Sequence, residues 1–238
     1  MAATKDLVVE KRDDATESAT HRKQVEFINI AAHEMKAPLQ TILTSSELLK
    51  RDPSSGQKYA PVIIRNAKRL QAVAKNLLDL SRIENQSVRL SREIFNLTEV
   101  ITDTIDDVIP SFAKSYQNLR IIKPDRNVFV YADKDRISQV ISNLLTNAIK
   151  FTTSGTISIT IEKKSRQKQA IVTVKDDGLG INPTIMQSLF SKFVSTSPQG
   201  LGLGLYITKN IIEAHGGHIT AHNNRDGNGA SFIFTLPL

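Results

Sequence analysis

The apolar residues in the first third of the chain recur with helical spacing from about 21 to about 85, with a single interruption. The interruption is the Asp-Pro-Ser-Ser-Gly stretch at 52–56, which contains both common helix breakers. Two helices joined by so short a turn predict an antiparallel hairpin. A lone hairpin would leave an apolar stripe in water, so we expect a second copy to cover it in a four-helix bundle, making the protein a homodimer.

Beyond Arg89 the pattern mixes strands and helices. It predicts helices at about 97–115, 133–151, 183–190 and 203–215, with Asp133 as the N-cap of the second. It predicts strands at 119–122, 128–132, 156–161, 170–174, 218–222 and 231–236, with a polar hairpin loop at 162–169. This order predicts an α/β sandwich, with helices on one face of a mostly antiparallel sheet, rather than a doubly wound fold. The expected domains are a linker or tail at 1–21, a helical hairpin at 22–88 and the sandwich at 89–238.

Composition excludes several other classes of protein. The net charge is +7, but the basic residues are scattered and only 4 Tyr and no Trp are present to stack on bases, so we expect no nucleic-acid partner. The chain has no cysteine, which excludes disulfides and thiolate sites and fits a reducing compartment. No apolar run reaches the roughly 18 residues that a membrane span needs, and residues 1–23 have no signal-peptide core. We therefore expect a cytoplasmic protein with no membrane span in this chain, whether or not the chain comes from a longer, membrane-bound protein.

The first chemically suggestive group is His33 with Glu34 in the first predicted helix. A neutral imidazole is a competent nucleophile, and a neighbouring carboxylate that accepts its other ring proton would raise its basicity. Taken alone, such a pair is more often an ordinary solvated pair on a helix surface.

The second group is on the predicted helix at 133–151, where Asn143, Asn147 and Lys150 share one face by their spacing. Carboxamide oxygens are hard ligands that suit Mg²⁺, and a lysine beside them would attract a polyphosphate. The alternative is a polar helix face with no ligand.

Two glycine-containing stretches follow. Asp-Asp-Gly-Leu-Gly-Ile at 176–181 leaves a predicted strand, where glycines allow close approach to a flat ligand and a carboxylate can accept from an amine such as that of adenine. Gly-Leu-Gly-Leu-Gly-Leu at 200–205 opens a predicted helix and can direct backbone N–H groups at phosphate. Each stretch alone also fits an ordinary turn or a flexible glycine string.

In this order and at these distances, the four groups resemble the histidine, asparagine and glycine boxes of two-component sensor histidine kinases. The Phe-Ser-Lys-Phe stretch at 190–193 resembles that family's phenylalanine box. The resemblance extends from about Arg22 to Leu238. Related ATPases of the chaperone, mismatch-repair and topoisomerase types share the asparagine and glycine boxes but lack the hairpin that carries the histidine.

The resemblance implies a role for each matching residue. His33 is expected to be the phosphoacceptor, Glu34 its general base and Asn147 the Mg²⁺ ligand. The expected ATP-binding residues are Asn143, Lys150, Phe151, Asp176, Gly178, Gly180, Lys192, Gly200, Leu201, Gly202, Leu203 and Gly204. Residues 191–199 are expected to form a lid over the phosphates. The implied activity is ATP-dependent autophosphorylation of His33, followed by transfer to an Asp of a response-regulator receiver domain.

Some residues depart from the family pattern. Ala37 lies one helical turn beyond His33, where members with phosphatase activity usually have Thr or Asn, so phosphatase activity is expected to be weak or absent. Asp177 stands where Asn is frequent, Leu201 where Thr is frequent, and Ser195 where a basic residue often assists the phosphates. Two other functions fit the same residues: a nucleotide-binding scaffold that has lost catalysis, and an ATPase whose hairpin only dimerises.

Overall fold

The computed structural model describes residues 29–112, 118–195, 201–225 and 227–238. Their contacts divide them into two compact units: the first holds the described residues up to Leu78 together with Leu201, and the second holds the others from Asp79 onward. Residues 1–21, predicted to be a linker or tail, lie outside the described residues, as does the first part of the first predicted helix.

The first unit contains two long helices, α1 (29–51) and α2 (Gly56–Glu84), of which α2 continues past Leu78 into the second unit. Between them stand Asp52 and the 3-10 turn Pro53–Ser55. The Asp52 carboxylate accepts a hydrogen bond from the N–H of Ser54 at 3.1 Å, which closes the turn. The predicted helical hairpin is confirmed.

The second unit consists of mixed helices and strands. In chain order they are β1 (Glu93–Asn96), α3 (Leu97–Val108), β2 (Leu119–Ile122), β3 (Phe129–Ala132), α4 (Lys134–Phe151), β4 (Gly155–Lys164), β5 (Gln169–Asp176), α5 (Pro183–Met186), α6 (Gly204–Ala214), β6 (Ile219–Asn223) and β7 (Ala230–Pro237). Five strands form one sheet in the order β2-β4-β5-β7-β6, and β1 pairs with β3 in a separate two-stranded sheet. Among the strand pairs in the part of the chain that the structure describes, only β2–β4 is parallel. The predicted α/β sandwich with a mostly antiparallel sheet is confirmed.

The core of this unit follows from strand alternation. On β5 the buried positions are Ala170, Val172, Val174 and Asp176, with less buried residues between them. Helix α4 packs against both α3 and α6, and α4 and α6 also contact the sheet. Because side chains alternate along a strand, the last buried position of β5 places a carboxylate at the edge of the apolar core. The sheet therefore determines where Asp176 lies.

Asparagine or aspartate side chains cap the N-termini of α3, α4 and α5, whereas α6 begins without a side-chain cap. The Asp133 carboxylate accepts from the N–H of Arg136 at 3.1 Å, which confirms Asp133 as the predicted N-cap of α4. Asn96 and Asn182 cap α3 and α5 in the same way.

Four elements differ from the sequence prediction by more than two residues. The helix predicted at 97–115 is α-helical only to Val108 and continues as the 3-10 helix Ile109–Phe112, while 113–115 lie outside the described residues. β1 was not predicted at all. The helix predicted at 183–190 ends at Met186. Beyond it the chain forms single turns, in which the N–H groups of Ser188 and Ser191 each donate to the carbonyl oxygen three residues back. Strand β4 extends to Lys164, which shortens the predicted 162–169 loop to a turn that Lys168 closes with a positive φ of 50°.

Candidate functional site

His33 and Glu34 are neighbours on α1 with different surroundings. His33 is exposed, so its ring can be reached from solvent. The Glu34 side chain is only 17% exposed, and its Oε2 accepts from Nη2 of Arg69 in α2 at 3.0 Å. Within the described part of the chain, the Glu34 carboxylate is thus held by α2 rather than by the His33 ring. Ala37, one turn further, is also exposed.

The two asparagines of α4 are not equivalent. Nδ2 of Asn143 donates to Oγ1 of Thr208 in α6 at 2.8 Å, and a Cβ at Gly204 would lie 2.4 Å from Oδ1 of Asn143. Asn143 and Gly204 therefore fit closely and fix the start of α6 against α4. Asn147 is half-buried, and its side chain makes no hydrogen bond with any residue that the structure describes. The Asn147 carboxamide can therefore bind a ligand through either of its polar atoms, whereas the amide nitrogen of Asn143 is already bonded to Thr208.

The last turn of α4 joins this helix to the loop after β5. The Lys150 Nζ atom lies 5.4 Å from the centroid of the Phe151 ring. The carbonyl oxygen of Phe151 accepts from the N–H of Leu179 at 3.2 Å. Lys150 is exposed, so a cation and an aromatic ring lie together at the end of the helix beside the Asp-Gly loop.

Asp176 is 4% exposed, and two backbone groups hold one of its carboxylate oxygens. Oδ1 accepts from the N–H of Gly178 at 2.9 Å and from the N–H of Ala230 at 3.3 Å. Burial raises the pKa of Asp176 above its ordinary value; those two N–H groups oppose the shift, and the charge of Asp177 adds to it. Oδ2 makes no hydrogen bond with a described residue, so a rigid carboxylate presents one acceptor atom to a ligand.

The two glycines of this loop are required by contacts and by backbone conformation. A Cβ at Gly178 would lie 2.4 Å from the carbonyl oxygen of Phe151 and 2.8 Å from Oγ1 of Thr152. Gly180 has a φ of +75°, in the left-handed region that favours glycine. The side chain of Asn223 then bonds both backbone groups of Ile181, at 2.6 Å and 2.9 Å. The loop is thereby fixed on both sides of Gly180.

The β6–β7 connection supports Asp176 from behind, which the sequence did not predict. Nδ2 of Asn224 donates to the carbonyl oxygen of Asp176 at 2.8 Å, and its Oδ1 accepts from the hydroxyl of Ser231 at 2.7 Å. A Cβ at Gly229 would lie 1.9 Å from that same carbonyl oxygen. The Asn-Asn pair at 223–224 was the available signal, but such a pair usually means only a turn.

The side chain of Asp177 bonds to the start of β4 and not to the backbone groups that hold Asp176. Its Oδ2 accepts from the N–H of Thr156 at 2.8 Å, while its own N–H donates to the carbonyl oxygen of Thr156 at 3.1 Å. This carboxylate therefore closes the start of β4.

The glycine string lies partly outside the described residues, since these resume at Leu201 and omit Gly200. Gly202 has a φ of +63°, and a Cβ there would lie 2.5 Å from the carbonyl carbon of Phe193. Leu201 and Leu203 are both buried, and Leu203 directly precedes α6. The apolar residues of the string thus anchor it, while the glycines allow close backbone contact.

Lys192, predicted to provide charge for phosphate, forms an ion pair with Glu84. Its Nζ also lies 5.4 Å from the centroid of the Tyr206 ring. Burial lowers the pKa of Lys192, but the contacts with Glu84 and Tyr206 outweigh it and leave the pKa raised. Of the predicted lid, 191–195 is described and 196–199 lies outside the described residues.

A Mg²⁺ ion fits this set of residues only as a partner of phosphate. Within the described ranges, no group of three His, Asp or Glu side chains is arranged to hold a metal alone. Mg²⁺ in nucleotide sites typically takes one or two protein oxygens and completes its shell with phosphate and water. The Asn147 carboxamide oxygen is of this kind, and it makes no hydrogen bond with a described residue.

Comparisons with known proteins agree with both units. The family described as histidine kinase-, DNA gyrase B- and HSP90-like ATPase matches residues 132–238, and the His kinase A (phospho-acceptor) domain matches residues 23–86. The sensor protein GacS of Pseudomonas syringae pv. syringae is 31% identical over 95% of this chain and 26% of its own length. The chain spans less than half of the length of the curated relatives that it matches.

Solved structures give the same result. The catalytic domain of histidine kinase ThkA is 36% identical, with a TM-score of 0.55 over 62% of this chain and 95% of that domain. Histidine kinase ThkA in complex with response regulator protein TrrA is 31% identical, with a TM-score of 0.62 over 89% of this chain and 61% of that one. No described helix is both long and apolar enough to cross a membrane. The chain belongs to the two-component sensor histidine kinases and carries both their phospho-acceptor domain and their ATPase domain.

Proposed function

We propose that this chain is a kinase core that uses ATP to phosphorylate its own His33 and passes the phosphoryl group to an Asp of a response-regulator receiver domain. The observation that carries the proposal is the carboxylate of Asp176, which is buried and fixed through Oδ1 but has Oδ2 left for a ligand. An acceptor fixed in this way suits the exocyclic amine of adenine. The exposed ring of His33 is the nucleophile that the chain offers.

In this proposal the second unit orients ATP. Gly178 and Gly180 leave room beside the base, and Phe151 lies near it. Asn147 provides an oxygen for Mg²⁺, which would neutralise phosphate charge when bound. Lys150 and Lys192 add positive charge. The glycine string Gly200, Leu201, Gly202, Leu203 and Gly204 borders the phosphates, with Asn143 holding the start of α6.

The proposed transfer begins when the lone pair of a His33 ring nitrogen attacks the γ-phosphorus. A nitrogen–phosphorus bond forms, the bond from phosphorus to the bridging oxygen breaks, and ADP leaves with that electron pair. Glu34 takes the proton from the other ring nitrogen and releases it to solvent. Because Arg69 holds Glu34 in this structure, the carboxylate must exchange that partner during the reaction. Positioning and charge neutralisation provide most of the acceleration.

In the second transfer, a carboxylate oxygen of the receiver Asp attacks the phosphorus and the bond to His33 breaks. The ThkA–TrrA complex supports a response regulator as partner, since that relative was solved with one.

A homodimer is supported by large apolar side chains left exposed on the hairpin unit. These are Met35, Leu39, Leu43, Leu48, Ile64 and Leu78, which are 36% to 61% exposed. We place the reaction in the cytoplasm, where ATP is available. A chain without cysteine has no disulfide that the reducing environment there could break.

Incubation with γ-labelled ATP tests the proposal. The protein should acquire an acid-labile, base-stable label, and His33→Gln should abolish the label while ADP still binds. Steady ATP hydrolysis without labelled protein would instead indicate an ATPase whose hairpin only dimerises. ADP binding with neither label nor turnover would indicate a scaffold.

The general base has its own test. Glu34→Gln removes the proton acceptor without changing shape, so the rate of labelling should fall about 100-fold at unchanged ADP affinity. Glu47→Gln, at an exposed position of the same helix, is the matched control and should label normally. Equal labelling rates in both variants would remove Glu34 from the mechanism.

A further inference from the structure

The connection between β6 and β7 contains the one Asn-Gly pair of the chain, Asn228 and Gly229. Asn228 is exposed, and its side chain makes no hydrogen bond with any residue that the structure describes. The N–H of Gly229 also lacks a described acceptor. Because glycine has no Cβ to shield its nitrogen, this N–H is open to the unrestrained side chain that precedes it.

The packing behind Asp176 requires a glycine at position 229. A Cβ there would lie 1.9 Å from the carbonyl oxygen of Asp176 and 2.8 Å from the backbone nitrogen of Gly178. The φ of Gly229 is +87°, in the left-handed region that favours glycine. No larger residue can therefore stand after Asn228 and protect it.

The turn changes from open to closely packed at Asn228. Before it, Gly227 is exposed, and a Cβ added there would meet no described atom within 4 Å. After it, Gly229 and Ala230 are buried. Water can thus reach the Asn228 side chain, while the backbone that follows has no room to move.

We propose that Asn228 is a site of spontaneous deamidation, and that its isoaspartyl product displaces the backbone that supports Asp176. The Gly229 nitrogen attacks the side-chain carbonyl carbon of Asn228, a carbon–nitrogen bond forms, and the amide nitrogen leaves as ammonia with the proton of Gly229. One water molecule then opens the resulting cyclic imide. Attack at the side-chain carbonyl gives aspartate, and attack at the main-chain carbonyl gives isoaspartate. Asparagine and water are thus converted to an acid and ammonia, with no change of oxidation state.

The two products differ in the path of the main chain. In isoaspartate the chain runs through the former side chain, so one more atom separates the α-carbon of residue 228 from the nitrogen of Gly229. The carbonyl of Asn228, which accepts from Nδ2 of Asn224 at 2.9 Å, becomes a free carboxylate. The carbonyl of Gly229, which accepts from the N–H of Asn224 at 3.1 Å, must shift. Since Gly229 is in close contact with the Asp176 carbonyl, the extra atom cannot be absorbed without displacing this support. Ordinary aspartate leaves the backbone path unchanged.

Ageing the protein in mildly alkaline buffer tests the site itself. Peptide mapping by mass spectrometry should show conversion of amide to acid at Asn228 at least about 10-fold faster than at Asn118, which leucine follows. Asn118 is a matched control, because it is also exposed and its side chain also has no described hydrogen bond. Equal rates at the two asparagines would overturn the inference.

An isoaspartyl methyltransferase, which labels isoaspartate alone, identifies the product. Aged wild type should accept the label, and aged Asn228→Gln should accept much less, because the longer side chain forms the ring less readily. Asn228→Gln retains the neighbouring Asp-Gly pair at 226–227 and so measures the label that arises there. Equal labelling of wild type and Asn228→Gln would overturn the inference.

Thermal unfolding tests the structural effect. The deamidated fraction of aged wild type, isolated by ion exchange, should melt at least about 4 °C below the fresh protein. Fresh Asn228→Asp, which has the same charge on an unchanged backbone, should melt as the wild type does, and aged Asn228→Gln should keep its Tm. A deamidated fraction that melts no lower than Asn228→Asp would overturn the proposed displacement. The inference does not require the proposed function: a fresh protein that binds no ADP would contradict that function and leave these outcomes unaffected.

Discussion

Arg136 and Asp79 form an ion pair in which Nη1 and Oδ1 are 2.7 Å apart, with side chains only 17% and 6% exposed. The other carboxylate oxygen of Asp79 accepts from Nε2 of Gln139, also at 2.7 Å. Asp79 lies near the end of α2, and both partners lie in the first turns of α4. The end of α2 is thereby tied to the helix that carries Asn147.

Removal of Asp79 should destabilise the second unit strongly. Asp79→Ala leaves the Arg136 charge buried without its partner, so the free energy of unfolding should fall by about 3 kcal/mol. Denaturant titration measures it. The control is Glu84→Ala, which breaks the exposed pair with Lys192 and should cost at most about 1 kcal/mol. Similar losses in the two variants would show that the Asp79 pair contributes no more than a surface pair.

A carboxamide at position 37 should introduce phosphatase activity. Ala37 is exposed one turn from His33, and its methyl group cannot orient a water molecule. Ala37→Asn should therefore accelerate Mg²⁺-dependent loss of phosphate from a phosphorylated receiver domain at least about 10-fold. The matched control is Ala32→Asn, next to His33 but not one turn beyond it. Rapid dephosphorylation by the unmodified protein would contradict the prediction.

Removal of the Asp176 charge should keep or raise the stability of the ligand-free protein but abolish its binding of ADP. Because the folded-state pKa of Asp176 is raised above the ordinary 3.8, the ionised carboxylate opposes folding once the pH exceeds that value. Asp176→Asn can keep the acceptor for Gly178 and Ala230 without the charge, so its Tm near pH 7 should equal or exceed that of the wild type. Its Oδ1 would still be fixed, but an amide nitrogen would replace the acceptor at Oδ2, so the ADP-induced rise in Tm should disappear. A variant that keeps the full rise would exclude Asp176 from base recognition.

His215 should make the second unit sensitive to mild acid. Its Nε2 accepts from the N–H of Asp133 at 3.0 Å and its Nδ1 lies 2.7 Å from the carbonyl oxygen of Ile211, so the buried ring must be neutral. Burial lowers the pKa of His215 below its ordinary 6.5. As the pH falls below that value, the unfolded chain takes up the proton first and stability is lost.

The measurement for His215 is the free energy of unfolding between about pH 7.5 and about pH 5.5. The wild type should lose stability across this window, and His215→Asn should lose less. His222→Asn, at an exposed position on β6, should retain the wild-type slope. An identical slope in His215→Asn would assign the pH dependence to other groups.

The sequence predicted those elements that are determined by residues close to one another along the chain. The Asp133 cap, the alternation of β5 and the hairpin turn all depend on neighbours within a few residues, and each is confirmed. Strand β1 escaped prediction because its four residues include only two apolar side chains, and its partner β3 begins more than thirty residues later. A short strand of this kind is defined by its pairing, which periodicity does not reveal.

The same reasoning applies to the site. Motif spacing predicted Asp176 and the glycines as site residues, which stays a prediction. It placed Asn143 and Asn147 alike on one helix face, and only the packing of α6 distinguishes them. Asp79 and Arg136 look like solvated charges in sequence, since a separation of 57 residues hides their contact. Gly229 looks like an ordinary turn glycine in sequence, and only its contact with the Asp176 carbonyl shows why no other residue fits there.

The support behind Asp176 has a consequence for the order in which the protein becomes functional. The N–H of Ala230 lies 54 residues further along the chain, and the Asn224 amide lies 48 residues further along. A chain emerging from the ribosome therefore lacks both supports until β6 and the start of β7 have been made. The proposed nucleotide site around Asp176 is thus completed only after these two strands, and a chain that stops before β6 should not hold this carboxylate in place.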